Sequence, residues 1–127
     1  MTTSINEFAA WFGILAGVLS GSIAGLRFNE EHWLGGYGSW RRRLMRLGHI
    51  SFFGIALLNL SLALTVRGLH WPAPPFPCAV AMAAAIVLMP AICFLSAWRR
   101  LLRHLFVLPV GCVLAGVIGL LWRRVMS

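Results

Sequence analysis

The sequence predicts an all-α integral membrane protein, a four-transmembrane-helix bundle forming one membrane domain over residues 1–127. Three observations predict it. Of the 127 residues, 60% are hydrophobic and only 11% charged, with a mean hydropathy of +0.84, whereas soluble domains are about 45–50% apolar and about 25% charged. A domain this small cannot hide so much apolar surface within itself. The apolar residues also fall into four long runs without a formal charge, and the arginines gather in the connections between them. Soluble, disordered, collagen-like and disulfide-scaffold classes are thereby excluded.

The first run covers residues 8–26, the second 47–66, the third 78–98 and the fourth 105–122. Each reaches the about 17–25 residues that a helix needs to cross a bilayer. Backbone groups cannot stay unpaired in hydrocarbon, so each run is expected to be helical. Continuous rather than alternating apolar residues exclude barrel strands. The first run does not read as a cleaved leader, because it is long and no positive residue precedes it before Arg27. The first connection, 27–46, is rich in Gly and Trp, and its 40–47 portion reads as an interfacial extension of the second helix. The second connection, 67–77, holds Pro72, Pro74, Pro75 and Pro77 and should be extended and stiff. The third, 99–103, is a tight basic turn.

All eleven basic residues are arginine, and Glu7, Glu30 and Glu31 are the only acids. Eight arginines (27, 41, 42, 43, 46, 99, 100 and 103) fall at one membrane face and three (67, 123 and 124) at the other. The positive-inside rule puts the eight in the cytoplasm and both termini outside, as expected for a bacterial cytoplasmic membrane. Trp11, Trp40, Trp71, Trp98 and Trp122 lie near span ends, where an indole can be half wet and half apolar. Arginines beside apolar runs read as headgroup anchors, so the partner is the lipid bilayer and not nucleic acid.

In lipid, helices associate through close packing and hydrogen bonds. Gly13, Gly17, Gly21 and Gly25 form three consecutive G-x-x-x-G steps, and Gly111, Ala115 and Gly119 repeat the spacing in the fourth span. These faces are expected to pack helices within the chain, against other membrane subunits, or in a homo-oligomer. Asn59, near mid-membrane, needs a partner on another helix. Pro90 and Pro109 are expected to kink the third and fourth spans. Cys78, Cys93 and Cys112 have no metal-type spacing and read as packing residues.

His49 and His104 both stand near the starts of outward-running spans. On an ideal bundle they lie at similar depth, so they read either as ordinary interfacial histidines, hydrogen-bonded to headgroups, Glu30, Glu31 or water, or as two imidazoles facing one another in a site for b-type haem, another metal or a quinone. Arg46, Arg100 and Arg103 are placed to meet haem propionates. Glu30, Glu31 and His32 could join His49 and His104 in a divalent-metal site of the carboxylate–imidazole kind, with the ordinary alternative that the glutamates pair with nearby arginines. No Ser-His-Asp, Cys-His, H-E-x-x-H or C-x-x-C pattern is present, and there is no aspartate. An enzyme acting on its own is not expected. Function reads as a small accessory subunit of a larger, respiratory-type membrane complex. The alternatives are an assembly factor without cofactor, or a small transporter or channel. The chain is similar in length and span count to the small multidrug-resistance exporters, but their intramembrane carboxylate has no counterpart except Glu7 at the membrane edge.

Overall fold

The structure is a computed structural model and describes residues 2–127. Four helices are present: α1 (Thr2–Leu26), α2 (Trp40–Gly68), α3 (Phe76–Trp98) and α4 (Val107–Val125). Short 3₁₀ segments, Trp33–Gly35 and Arg100–Phe106, lie in the first and third connections. All four helices are long and apolar enough to cross a membrane, and no strand occurs among the described residues. The chain is an integral membrane four-helix protein.

The helix ends differ from the apolar runs for local reasons. Helix α1 begins six residues before the first run and so takes in Asn6 and Glu7. Helix α2 begins at Trp40 because the Ser39 hydroxyl accepts the Arg42 N–H at 3.1 Å, capping the first turn. Helix α3 starts at Phe76, with Pro77 in its opening turn, where a missing N–H breaks no helical bond. Pro109 is likewise in the first turn of α4 and not at a mid-span kink; it follows the change from 3₁₀ to α geometry. Pro90 is buried inside α3, which is helical from Phe76 through Trp98.

The bundle is uneven. Helices α1, α2 and α3 pack mutually, whereas α4 makes its substantial helix contacts with α3 alone. The centre is small: Ala9, Ile55, Ala56, Ala83, Ala85 and Ile86 form its buried cluster, and the small side chains let backbones approach. Gly13 lies against Ile86 and Ala56, Gly17 against the Phe53 ring and Gly21 against the His49 ring, so a Cβ at any of the three would collide. Gly25 has open space beside it.

On α4 the packing face is turned from the one expected. Gly111 is exposed with nothing near it, and Ala115 is half-buried. The contact is made by Gly116, where a Cβ would stand 2.6 Å from Met82, and by Gly119, 2.8 Å from Cys78. Pro109, Gly116 and Gly119 are the buried positions of α4. The reason is its attachment to a single neighbour, which selects one narrow stripe.

A polar knot joins the three core helices. Asn6 Nδ2 donates to Asn59 Oδ1 at 2.7 Å and to the Ala79 carbonyl at 3.0 Å. Asn59 Nδ2 donates to the carbonyls of Ile55 (3.0 Å) and Met82 (3.1 Å). Both side chains are fully buried. The partner Asn59 requires is thus Asn6, on α1.

Candidate functional site

The arginine-rich end of the bundle is organised around the 27–39 connection. Leu34, Gly35 and Gly36 all have left-handed backbone (φ 56°, 88° and 91°), a conformation glycine adopts without strain. This reversal folds the connection back over Arg42. Arg42 is fully buried, and its guanidinium donates to the carbonyls of Phe28 (2.9 Å) and Glu30 (3.2 Å). It sits 3.8 Å from the Tyr37 ring centroid, 5.3 Å from that of Phe28 and 5.5 Å from that of Trp33. Carbonyl dipoles and ring faces, rather than a carboxylate, therefore hold this cation. Ser39 completes the closure by donating to Leu34 O at 2.8 Å.

Beneath this cap lies a cavity of about 310 Å³ lined by Ser20, Ile23, Ala24, Arg27, Trp33, Met45, His49 and Phe94. Its lining is apolar and aromatic apart from Ser20, His49 and Arg27. The volume is at the lower end of the about 300–1,000 Å³ range of small-molecule sites. The Ser20 hydroxyl donates to Gly17 O at 3.1 Å, and His49 Nδ1 lies 3.2 Å from Ser20 Oγ. A hydroxyl has one proton. When the Ser20 proton points to Gly17 O, the imidazole donates from Nδ1 and Nε2 is free to accept; when it points to Nδ1, the ring proton sits on Nε2. The ring is further held edge-on to Phe53, with centroids 5.5 Å apart.

The sequence-predicted site residues divide between different places. His49 faces α1, through Ser20 and Gly21. His104 lies in the second 3₁₀ segment, exposed, beside a shallow cleft with Arg100, Leu101 and Arg103. The two imidazoles do not share a cavity, because α4 hangs on the outside of α3 and does not face α2 across the bundle. Arg46 donates to Tyr37 O at 3.3 Å, and Arg100 stands over the Trp40 ring at 5.9 Å. Arg103 lines a separate groove with Trp40 and Arg43. Among the described residues no three His, Cys, Asp or Glu side chains converge to hold a metal, so Glu30, Glu31 and His32 are not gathered with the other histidines. Nor do these glutamates pair with arginines: the one salt bridge among the described residues is Glu7–Arg67, 2.8 Å, at the opposite end.

Sequence reasoning missed Ser20, Asn6, Arg42, Gly48 and Gly116. Asn6 and Ser20 are each seven residues from Gly13, on the glycine face, so the signal was present once α1 was extended toward its N-terminus. Gly48, which receives the Phe94 ring, had no such periodic companion.

The fold and this cavity define a class: an integral membrane four-helix protein with a polar-floored cavity at its arginine-rich end. Compared with protein-family models, with curated proteins and with solved structures, the chain matches none.

Proposed function

We propose that this protein is a small, non-catalytic subunit of an electron-transfer membrane complex and that its own contribution is a quinone-class binding site at His49. The observation that carries the reading is the convergence of Ser20, His49 and Arg27 in an otherwise apolar, aromatic-walled cavity. A quinol presents a flat ring with a hydroxyl at each end. His49 Nε2 accepts one hydroxyl proton in a hydrogen bond, and the Arg27 guanidinium donates to an oxygen of the head. Trp33 and Phe94 supply flat apolar surface for the ring. Nearly all the chain outside the helices is in the two short connections and the 27–39 cap, which favours a subunit role over independent chemistry.

In this reading the eight-arginine end faces the cytoplasm and both termini lie outside. The bis-histidine haem alternative has less support, since His49 and His104 line different surfaces. Proton-coupled export has less again, because Glu7 is engaged with Arg67. The test is binding of a short-chain benzoquinol to the protein in mild detergent, with recovery of partner subunits scored in parallel. His49→Leu should abolish binding while helicity is retained, and Ser20→Ala should weaken it. Unchanged binding in His49→Leu overturns the quinol site; a Soret band lost in both His49→Ala and His104→Ala replaces it with haem.

A further inference from the structure

A second opening lies between the start of α2 and the 3₁₀ segment that leads into α4. It has a volume of about 410 Å³ and is lined by Trp40, Arg43, Leu44, Leu47, Arg103 and Phe106. The spacing explains the groove. Trp40, Arg43, Leu44 and Leu47 recur at three and four residues along one face of α2. Arg103 and Phe106 are three apart, and in 3₁₀ geometry such residues eclipse. Each wall therefore carries one guanidinium and an apolar strip. The Trp40 indole is fixed as part of the wall, because its N–H donates to Ser96 O at 3.1 Å.

We propose that this groove holds one anionic phospholipid of the adjoining leaflet. Arg43 and Arg103 take its phosphate from two sides, and an acyl chain lies along Leu44, Leu47 and Phe106. Charge selects the occupant. No acidic side chain lines the groove, and the one ion pair among the described residues is at the other end of the bundle. Two guanidiniums from separate elements suit a phosphate, which accepts charge-assisted hydrogen bonds from both. Basic recesses between membrane helices are sites for such headgroups. The apolar floor excludes free phosphate as the natural occupant, and the groove has no histidine of the kind that lines the first cavity. The bound lipid fills the gap left because α4 packs on α3 and not on α2. This inference is independent of the quinol reading.

The experiment is lipid retention by the full chain, reconstituted in mixed phosphatidylcholine–phosphatidylglycerol vesicles, extracted in mild detergent and weighed by native mass spectrometry. The wild type should keep one phosphatidylglycerol per chain. Arg43→Gln combined with Arg103→Gln should lower retention by about tenfold or more, as expected when two charge-assisted phosphate contacts are lost. Arg41→Gln with Arg99→Gln removes the same charge away from the groove and should leave retention unchanged. Leu47→Trp, which fills the groove and keeps both arginines, should also expel the lipid. Equal retention in the Arg43/Arg103 and Arg41/Arg99 variants, or retention of phosphatidylcholine instead, overturns the proposal.

Discussion

The Asn6–Asn59 knot offers the sharpest test of the packing, since its worth can be isolated by a double-mutant cycle. Leucine approximates asparagine in shape and removes every hydrogen bond. Asn59→Leu removes the 2.7 Å bond from Asn6 and the two bonds Asn59 donates to Ile55 O and Met82 O. Asn6→Leu removes the same 2.7 Å bond and the 3.0 Å bond to Ala79 O. Only the Asn6–Asn59 bond is shared, so the coupling energy reports that contact. Interhelical hydrogen bonds in membranes average about 0.6 kcal/mol and reach about 1.7 kcal/mol. A fully buried, short bond belongs in the upper half, about 1 kcal/mol or slightly more. Each single variant should lose about 1–2 kcal/mol, and the double variant less than the sum. The assay is reversible unfolding in mixed micelles of increasing sodium dodecyl sulfate, followed by circular dichroism. Strict additivity of the two variants would refute the contact, and with it the extension of α1 back to Asn6.

Other perturbations probe separate parts of the account. Gly116→Leu drives a side chain into Met82 and should cost about 1–3 kcal/mol in the same unfolding assay, whereas Gly111→Leu, with nothing near it, should be close to neutral. The reverse order would restore the Gly111–Ala115–Gly119 face. Arg42→Leu removes the cation that ties down the 27–39 connection and should cost about 2–3 kcal/mol; limited proteolysis should then cut between Phe28 and Ser39, and a connection as resistant as the wild type would contradict the cage. Glu7→Gln breaks a partly exposed pair and should change stability by about 1 kcal/mol or less. Proteoliposome flux that depends on Glu7 would revive the transporter reading.

The number and type of helices were legible in the sequence because long uncharged runs have one stable form in lipid. Their ends were less so. Capping by Ser39 and the polar first turns of α1 are invisible to a hydropathy argument, which stops at the first hydrophilic residue. The glycine face of α1 was readable because G-x-x-x-G spacing repeats through Gly13, Gly17 and Gly21. On α4, spacing alone could not choose between Gly111 and Gly116, because that choice depends on which neighbour the helix leans against. The same uncertainty separated the histidines. Equal depth follows from topology, but facing one another requires α2 and α4 to be adjacent, and among the described residues α4 makes its substantial helix contacts with α3. Arg42 was hidden among four arginines within six residues. Its burial depends on the reversal at Leu34–Gly36, a property of backbone geometry and not of composition.

The most direct measurement is compartment-specific labelling of single cysteines. With Cys78, Cys93 and Cys112 replaced, Gly38→Cys, Leu69→Cys and Leu101→Cys place one thiol in each successive connection, to be reacted with a membrane-impermeant maleimide in sealed vesicles of known orientation. Four crossings predict that positions 38 and 101 label only from one side and position 69 only from the opposite side; the proposed orientation makes the first of these the cytoplasmic side. Labelling of 38 and 69 from the same side would mean that α2 does not cross the bilayer, and the membrane placement of the His49 cavity would fall with it.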